Sequence, residues 1–217
     1  MMFKAGIFDL DGVIVDTVPL HFKAWQRMFN EYGKEFTFDD YKKKVDGIPR
    51  LDGCRAILTD ASPEIIDEAS SKKQVFYLQY LKEDGVVVYD TTVALIKSLL
   101  SHKIRTAVVS SSKNLHMILE KAGLADLFEV KLSGNDITKG KPDPQIFLMA
   151  AEQLGVDPKE SVVFEDATLG VEGAKRAGMR CVGIDRDSNP QLFTKADIVV
   201  NDLGETGFEK ISSLFSK

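Results

Sequence analysis

The stretch Phe8-Asp9-Leu10-Asp11-Gly12 stands at the end of a short apolar run, residues 3–8, that reads as a buried strand. Side chains two residues apart in an extended strand project to the same side. Asp9 and Asp11 therefore bring two carboxylates together, and their repulsion at about 4 Å is worth roughly 4 kcal/mol at an effective dielectric of 20. A hard divalent cation is the usual agent that offsets such repulsion. Gly12 then allows the backbone to turn sharply away.

Hydrophobic spacing divides the rest of the chain into two parts. Between residues 13 and 84 it predicts amphipathic helices and no convincing strand. From residue 91 onward, predicted helices alternate with short apolar strands, which is typical of a parallel sheet with helices on both faces. We therefore predict an α/β fold: a doubly wound, Rossmann-like parallel sheet in a core domain at 1–15 and 85–217, with an all-helical cap domain inserted at 16–84.

Turn and capping residues set the expected bounds of these elements. Ser62 can cap a long helix that Pro63 opens, and Asp143 can cap a helix whose first residue is Pro144. The predicted cap helices cover 19–32, 38–44, a segment after 50 and the long segment after 63. The predicted strands after the first cover 104–109, 129–132, 161–164, 181–184 and 198–200.

Composition narrows the classes of partner and compartment. The 217 residues carry a net charge of −5, which argues against a nucleic-acid or anionic-membrane surface. The two cysteines, Cys54 and Cys181, lie far apart without metal-site spacing, so free thiols in a reduced cytosol are favoured over a disulfide bridge. The sequence offers neither a signal peptide nor an apolar run of the ~18 residues that a membrane span needs. The expected location is cytoplasmic.

Three later segments decide how the first acidic pair is interpreted. Ser110-Ser111-Ser112 and Glu165-Asp166 each follow a predicted strand, and Lys141 lies in a loop after another. Taken singly, the hydroxyl and acidic runs are compatible with helix caps, and Lys141 with an ordinary surface lysine. Because the carboxyl ends of parallel strands meet at one edge of a sheet, all of them are expected to converge on one site.

Such a set of groups suits phosphoryl transfer. A carboxylate that attacks a phosphate ester faces repulsion between like charges, so catalysis consists mainly of positioning and charge neutralisation. Mg²⁺ between Asp9 and Asp166 would supply positive charge, and the Lys141 ammonium would supply a further positive charge. Ser110 would donate a hydrogen bond to the phosphate oxygens. Asp11 would protonate the leaving oxygen and then deprotonate the attacking water or hydroxyl.

These motifs together resemble the haloacid dehalogenase superfamily over essentially the whole chain. They occur in the order Asp9-Leu10-Asp11-Gly12, Val109-Ser110-Ser111, Lys141-Pro142 and Glu165-Asp166. The resemblance implies that Asp9 is the nucleophile, that Asp11 is the acid/base, and that Ser110, Ser111 and Lys141 hold the phosphate. It also implies that Mg²⁺ binds Asp9, the Asp11 carbonyl and Asp166, with Glu165 bound directly or through water.

The inserted helices are similar to the cap of the β-phosphoglucomutase branch. Asp46-Gly47-Ile48-Pro49-Arg50 resembles the cap loop whose arginine grips the phosphate at the far end of a sugar. The resemblance further implies a substrate contact for Lys73. Thr17 is predicted at the hinge, and Asn114, in Ser112-Lys113-Asn114, also fits that branch. His21 is interpreted either as a packing or hinge histidine or as a substrate contact.

Two departures favour a sugar-phosphate phosphatase over a mutase. Asp46 replaces a lysine and Gly53 a serine of the mutase pattern, and an aspartate beside a bisphosphate is electrostatically unfavourable. β-Phosphoglucomutase activity is the alternative. A metal-independent carbon–halogen hydrolase and a receiver-like signalling domain are less favoured, since the former has no use for the second acidic pair and the latter has no helical insert. The expected partner is a small phosphorylated metabolite, the expected state a monomer.

Overall fold

The computed structural model describes residues 2–186 and 188–216. Its strands are β1 (Ala5–Asp9), β2 (Arg105–Val109), β3 (Val130–Leu132), β4 (Ser161–Glu165), β5 (Arg180–Ile184) and β6 (Ile198–Val200). They form one parallel sheet in the order β3-β2-β1-β4-β5-β6. β1 lies at the centre, with Ile7 opposite Ala107 on one side and Val163 on the other. All five residues of β1 are buried, which explains why the four residues before Asp9 are apolar.

Helices cover both faces of this sheet. The α-helices are α1 (Val18–Glu31), α2 (Phe38–Asp40), α3 (Arg50–Ile57), α4 (Pro63–Asp84), α5 (Asp90–Ser101), α6 (Leu115–Ala122), α7 (Gln145–Gln153), α8 (Thr168–Arg176) and α9 (Phe208–Ser212). A π-helix covers Tyr41–Val45, and 3₁₀ turns cover Ala125–Leu127, Pro158–Glu160, Pro190–Phe193, Leu203–Glu205 and Ser213–Phe215. The predicted doubly wound α/β fold is confirmed.

Alternating side chains of the central strands separate the core into two layers. Phe8 packs with α5 and α6 and stacks on Phe164 at a ring-centroid distance of 4.2 Å. Ile7 points to the opposite face, where α7 and α8 supply Phe147 and Val171. Successive side chains of the strand thus pack on opposite faces of the sheet, as the two-residue repeat of a β-strand requires.

The helices α1 to α4 lie between β1 and α5, where the sequence predicts the cap. α1 packs along α4, and Trp25 stacks on Phe29 at 5.3 Å inside this group. The chain enters through residues 11–16 and returns through 86–89, and these two crossings are joined by a bridge between Val15 and Val88. The arrangement of the helices agrees with a cap domain at 16–84, but these domain boundaries stay a prediction.

Two local expectations were wrong in detail. The helix expected at 38–44 is α2 followed by a π-helix, in which the Asp46 amide donates to the Tyr41 carbonyl at 2.9 Å. Ser62 does precede α4, but its side chain makes no bond to the helix backbone. The Ser62 hydroxyl lies close enough to the exposed Glu64 carboxylate to lower the pKa of that acid.

Two further observations concern compartment and redox state. Both Cys54 and Cys181 are buried and free, and they belong to different core layers. Across residues 2–186 and 188–216, every helix is too short or too polar to cross a membrane.

Candidate active site

The carboxyl ends of three neighbouring strands bring the predicted motifs together. Asp9 ends β1, Ser110 follows β2, and Glu165 and Asp166 end β4 and begin the next loop. Lys141, from the loop after β3, reaches into the same place, and it is only 4% exposed. Distant segments of the chain thus meet at one edge of the sheet, as expected.

Three of these carboxylates form a compact buried cluster. Oxygen atoms of Asp9, Glu165 and Asp166 lie within 4.8 Å of one another. The Lys141 ammonium lies 2.5 Å from Asp9 Oδ1 and also pairs with Glu165. Burial alone would lower the pKa of Lys141, but the charges of Asp9 and Glu165 outweigh burial and raise it.

The acids of the cluster hold more negative charge than one lysine offsets. Burial raises the pKa of Asp9 and Asp166 well above the ordinary range, and the neighbouring acids add to the rise. Buried oxygen donors with surplus negative charge fit a hard cation such as Mg²⁺. The donor set is Asp9, Glu165 and Asp166; the carboxylate of Asp11 faces elsewhere.

Close packing of glycines shapes this cluster. Gly12 has a φ of +82°, and a Cβ there would stand 2.0 Å from Asp166 Oδ2. In α8, a Cβ on Gly170 would meet the Glu165 carboxylate at 1.6 Å. Gly12 was anticipated from its place after the acidic pair. Gly170 was missed, although two glycines within one short helix indicate a close neighbour.

Asp11 is held by three side chains outside the acid cluster. Ser110 Oγ donates to Asp11 Oδ2 at 3.0 Å, His21 Nε2 lies 3.2 Å from Oδ1, and Thr17 Oγ1 also donates to Oδ1. Burial would raise the pKa of Asp11, but these three contacts outweigh it and lower the pKa to about 2. Asp11 is therefore an ionised acceptor beside the cluster.

His21 and Lys73 extend this network into the cap. Lys73 Nζ lies 2.7 Å from His21 Nδ1. Since the ionised Asp11 carboxylate can only accept, Nε2 carries the proton that faces Asp11, and Nδ1 of the neutral ring accepts from Lys73. Burial and the charge of Lys73 lower the pKa of His21, which favours this neutral form. His21 thus contacts the predicted acid/base directly, a role beyond packing.

Lys73 gives a pH-dependent prediction. Burial and the charge of Arg50 lower the pKa of Lys73 from 10.5 to about 7. Between these values the unfolded chain binds a proton that the folded protein does not, so the free energy of unfolding rises with pH. We expect wild type to gain stability relative to Lys73→Met between pH 7 and 10, by at most about 4 kcal/mol, in denaturant unfolding. Lys72→Met, at the neighbouring position where the side chain is 39% exposed and pairs with Glu31 and Glu68, is the control. Parallel curves for wild type and Lys73→Met would contradict the prediction.

Between the sheet edge and the cap lies a cavity of about 530 Å³. Core and cap both contribute polar side chains to its lining, among them Asp9, Asp11, Ser110, Lys141, His21, Arg50, Lys73 and Asn114. The structure therefore brings the predicted cap residues to the same cavity as the strand-end motifs.

Arg50 occupies the part of this cavity that is lined by α4 and by the loop before α6. Its Nε donates to Ser70 Oγ at 2.9 Å and its Nη1 to Gln74 Oε1 at 2.5 Å. Gln74 Nε2 then donates to Asn114 Oδ1 at 2.7 Å and so connects cap to core. The partners that the described residues give Arg50 are neutral, so its charge is available to an anion. Nothing in the sequence pointed to Gln74.

Ser111 and the cap loop make a second connection between cap and core. The Ser111 hydroxyl donates to the Gly47 carbonyl at 2.6 Å. A Cβ on Gly47 would lie 3.0 Å from the Cβ of Ala167. The Ser111 side chain is thus engaged with the cap, and its predicted contact with phosphate stays a prediction.

Comparison with known proteins agrees with this geometry. Residues 6–184 match the family model described as "Haloacid dehalogenase-like hydrolase". The chain belongs to the haloacid dehalogenase-like hydrolase family. It is 36% identical to the β-phosphoglucomutase of Mycobacterium bovis, over 93% of this chain and 90% of that protein. It is 33% identical to a phosphorylated carbohydrates phosphatase of Thermotoga maritima, over 81% and 82% of the two chains.

Solved structures place the chain in the same branch of the family. The crystal structure of β-phosphoglucomutase from Clostridium difficile has a TM-score of 0.90 and 29% identity, and covers 99% of this chain and 98% of that one. The resemblance to the β-phosphoglucomutase branch is therefore confirmed. Membership in this hydrolase family also argues against the hypothesis of a receiver-like signalling domain.

The two departures from the mutase pattern have structural explanations. Asp46 is 7% exposed and pairs with Lys42 Nζ at 2.8 Å, one turn earlier in the π-helix. Its charge is therefore offset by a lysine of the same segment. A Cβ on Gly53 would stand 2.8 Å from the Trp25 ring, so packing excludes a serine there unless the indole moves. Trp25 belongs to the buried core of the cap, and nothing in the sequence marked it as the neighbour of position 53.

Proposed function

We propose that this family member is a Mg²⁺-dependent sugar-phosphate phosphatase that works through an aspartyl-phosphate on Asp9. The observation that carries the proposal is the placement of two kinds of carboxylate side by side. Asp9 lies in a buried acid cluster, while Asp11 is held apart from it by Ser110, Thr17 and His21. One acid is thus available as nucleophile and the other for proton transfer.

The chain's own residues would carry the reaction in two steps. A carboxylate oxygen of Asp9 attacks phosphorus, the bond between phosphorus and the sugar oxygen breaks, and that oxygen takes a proton from Asp11. Water then gives a proton to Asp11 and attacks the phosphoryl group, which leaves Asp9 as inorganic phosphate. Asp11 must first take up a proton, and the negative charge of an arriving phosphate favours this uptake.

Neutralising groups complete the proposed site. Asp9, Asp166 and the Asp11 carbonyl, with Glu165 directly or through water, would hold Mg²⁺. The bound ion would supply positive charge to the phosphate oxygens. Lys141, which pairs with Asp9 and Glu165, would turn its remaining hydrogen-bonding capacity to the phosphate, together with Ser110 and Ser111. The cavity is suited to a small phosphorylated metabolite as substrate. That the protein is monomeric and cytoplasmic stays a prediction.

Mutase activity is the second candidate, because Arg50 faces the cavity with neutral partners and could hold a second anionic group. Water is favoured as the acceptor because Lys42 and Asp46 together carry no net charge where the mutase pattern has a lysine. A bisphosphate would therefore meet less positive charge at this loop. The relatives include both activities, a β-phosphoglucomutase and a phosphorylated carbohydrates phosphatase.

The deciding experiment measures two products from the same substrates. Purified protein with Mg²⁺ is given a panel of sugar phosphates that includes β-glucose 1-phosphate, and inorganic phosphate and glucose 6-phosphate are both followed. We expect inorganic phosphate as the main product and loss of activity on addition of a chelator. Faster formation of glucose 6-phosphate would make the protein a mutase. Halide release from haloacids that survives the chelator would instead indicate a carbon–halogen hydrolase.

Arg50 gives a test of substrate recognition within this proposal. Removing a charged hydrogen-bonding group costs about 1.5–3 kcal/mol, so Arg50→Ala should raise KM roughly 10- to 100-fold for a sugar bisphosphate. A monophosphate should be affected much less. Arg27→Ala is the control, since Arg27 is an exposed arginine of the cap helix α1 whose Nη1 donates to Gln79 Oε1 at 3.2 Å. Equal losses on both substrates would mean that Arg50 only supports the cap.

A further inference from the structure

The two crossings between core and cap meet one arginine that no sequence motif marks. In the first crossing, the Gly12 amide donates to the Val15 carbonyl at 2.8 Å. In the second, the Tyr89 amide donates to the Ile14 carbonyl at 2.9 Å, so the crossings are bonded to each other. Arg186, in the loop after β5, touches both of them.

The contacts of Arg186 are specific in direction and geometry. Its Nε donates to the Gly12 carbonyl at 2.9 Å, and its guanidinium carbon lies 3.5 Å from the centre of the Tyr89 ring. Its Nη1 reaches Asp202 Oδ2 at 3.2 Å, and the same oxygen accepts from the Thr91 hydroxyl at 3.0 Å. A planar guanidinium can make these contacts together, because it donates in its plane and stacks with its face.

We propose that Arg186 is a positioning residue that clamps both crossings and thereby fixes Asp11 beside the nucleophile. Gly12 follows Asp11 directly, so a bond that holds the Gly12 carbonyl limits rotation of the backbone that carries the Asp11 side chain. The stack on Tyr89 ties the returning crossing to the same point of the core. Arg186 is absent from the described lining of the cavity, so it acts through Gly12 and not on substrate.

The consequence for catalysis rests on the proposed function, in which Asp11 protonates the leaving group. A displaced acid matters most when the leaving oxygen is basic, as in phenyl phosphate, whose phenol resembles tyrosine with a pKa near 10. It matters little for p-nitrophenyl phosphate, whose leaving group is far more acidic. Neither substrate carries a sugar, so recognition by the cap does not enter the comparison.

Two readouts test the clamp in Arg186→Met. We expect kcat/KM with Mg²⁺ to fall at least tenfold more for phenyl phosphate than for p-nitrophenyl phosphate. We also expect hydrogen exchange of the amides in 11–16 and 86–89 to quicken at least tenfold. Arg186→Lys keeps a donor but not the planar stack, and it should recover part of both losses. Arg180→Met is the control, because Arg180 lies at the other end of β5 and pairs with Asp197 at 3.0 Å.

The outcomes separate the clamp from the proposed function. Equal loss on both substrates, or unchanged exchange in both crossings, would overturn the clamp. If the wild-type protein hydrolyses neither substrate and Arg186→Met still exchanges faster in both crossings, the phosphatase proposal fails and the clamp stands.

Discussion

Replacing Asp9 by asparagine is expected to lower turnover by roughly 10⁴-fold or more, because the amide cannot act as the attacking oxygen. The same change should leave the metal-free protein at least as stable as wild type. Burial and neighbouring acids raise the pKa of Asp9, so its charge is costly in the folded protein, and in the variant Lys141 still pairs with Glu165. Turnover and thermal unfolding of Asp9→Asn should therefore change independently.

The control for this prediction is Asp39→Asn, an exposed acid of the cap that pairs with Lys43. It should leave turnover and melting temperature close to wild type. Phosphate trapped on the protein, detected as an added mass after rapid quenching, should be seen with wild type and not with Asp9→Asn. Retention of a few per cent of turnover in Asp9→Asn would contradict covalent catalysis.

Replacing Lys141 by methionine is expected to destabilise the metal-free protein by roughly 3–5 kcal/mol, the range found when one partner of a buried ion pair is removed. Asp9 and Glu165 would then lose the ammonium that they share. Turnover should also fall by roughly 10²–10³-fold if the same ammonium stabilises the transferring phosphate. Denaturant unfolding and steady-state assays measure the two effects.

A double variant identifies the origin of the lost stability. Adding Glu165→Gln to Lys141→Met removes one of the uncompensated charges, so it should restore part of the free energy of unfolding but none of the turnover. Lys139→Met, at a position with a 71% exposed side chain, is the control for the loss of a lysine in this loop. If the double variant is less stable than Lys141→Met, lost packing and not uncompensated charge explains the effect.

Local pattern predicted well those features that depend on one segment at a time. The helix expected at 19–32 is Val18–Glu31, and the strand expected at 161–164 is Ser161–Glu165. Such elements can be predicted from sequence because a buried parallel strand is apolar along its length and a packed helix repeats its apolar residues about once per turn. The capping role given to Ser62 failed, since its side chain makes no bond to the backbone of the helix that it precedes.

Contacts between side chains from distant segments could not be predicted from local sequence patterns. The sequence marked Asp46 as an unfavourable charge, but only the π-helix turns Lys42 toward it. Gly53, in place of the serine of the mutase pattern, suggested a different function, but its close approach to Trp25 gives a packing reason for the glycine. Neither Gln74 nor Arg186 belongs to a motif, and their contacts join segments that the chain itself keeps far apart.

The sequence by itself determined the parallel α/β core, the helical insertion and the set of acids, hydroxyls and lysine at the strand ends. It could do so because the carboxyl ends of neighbouring parallel strands meet wherever the sheet forms, whatever the details of packing. Only the tertiary structure decided which acid pairs with Lys141, which one faces Thr17, His21 and Ser110, and what holds the two crossings. Those choices depend on distances of a few ångströms between side chains from separate segments, and spacing along the chain does not encode them.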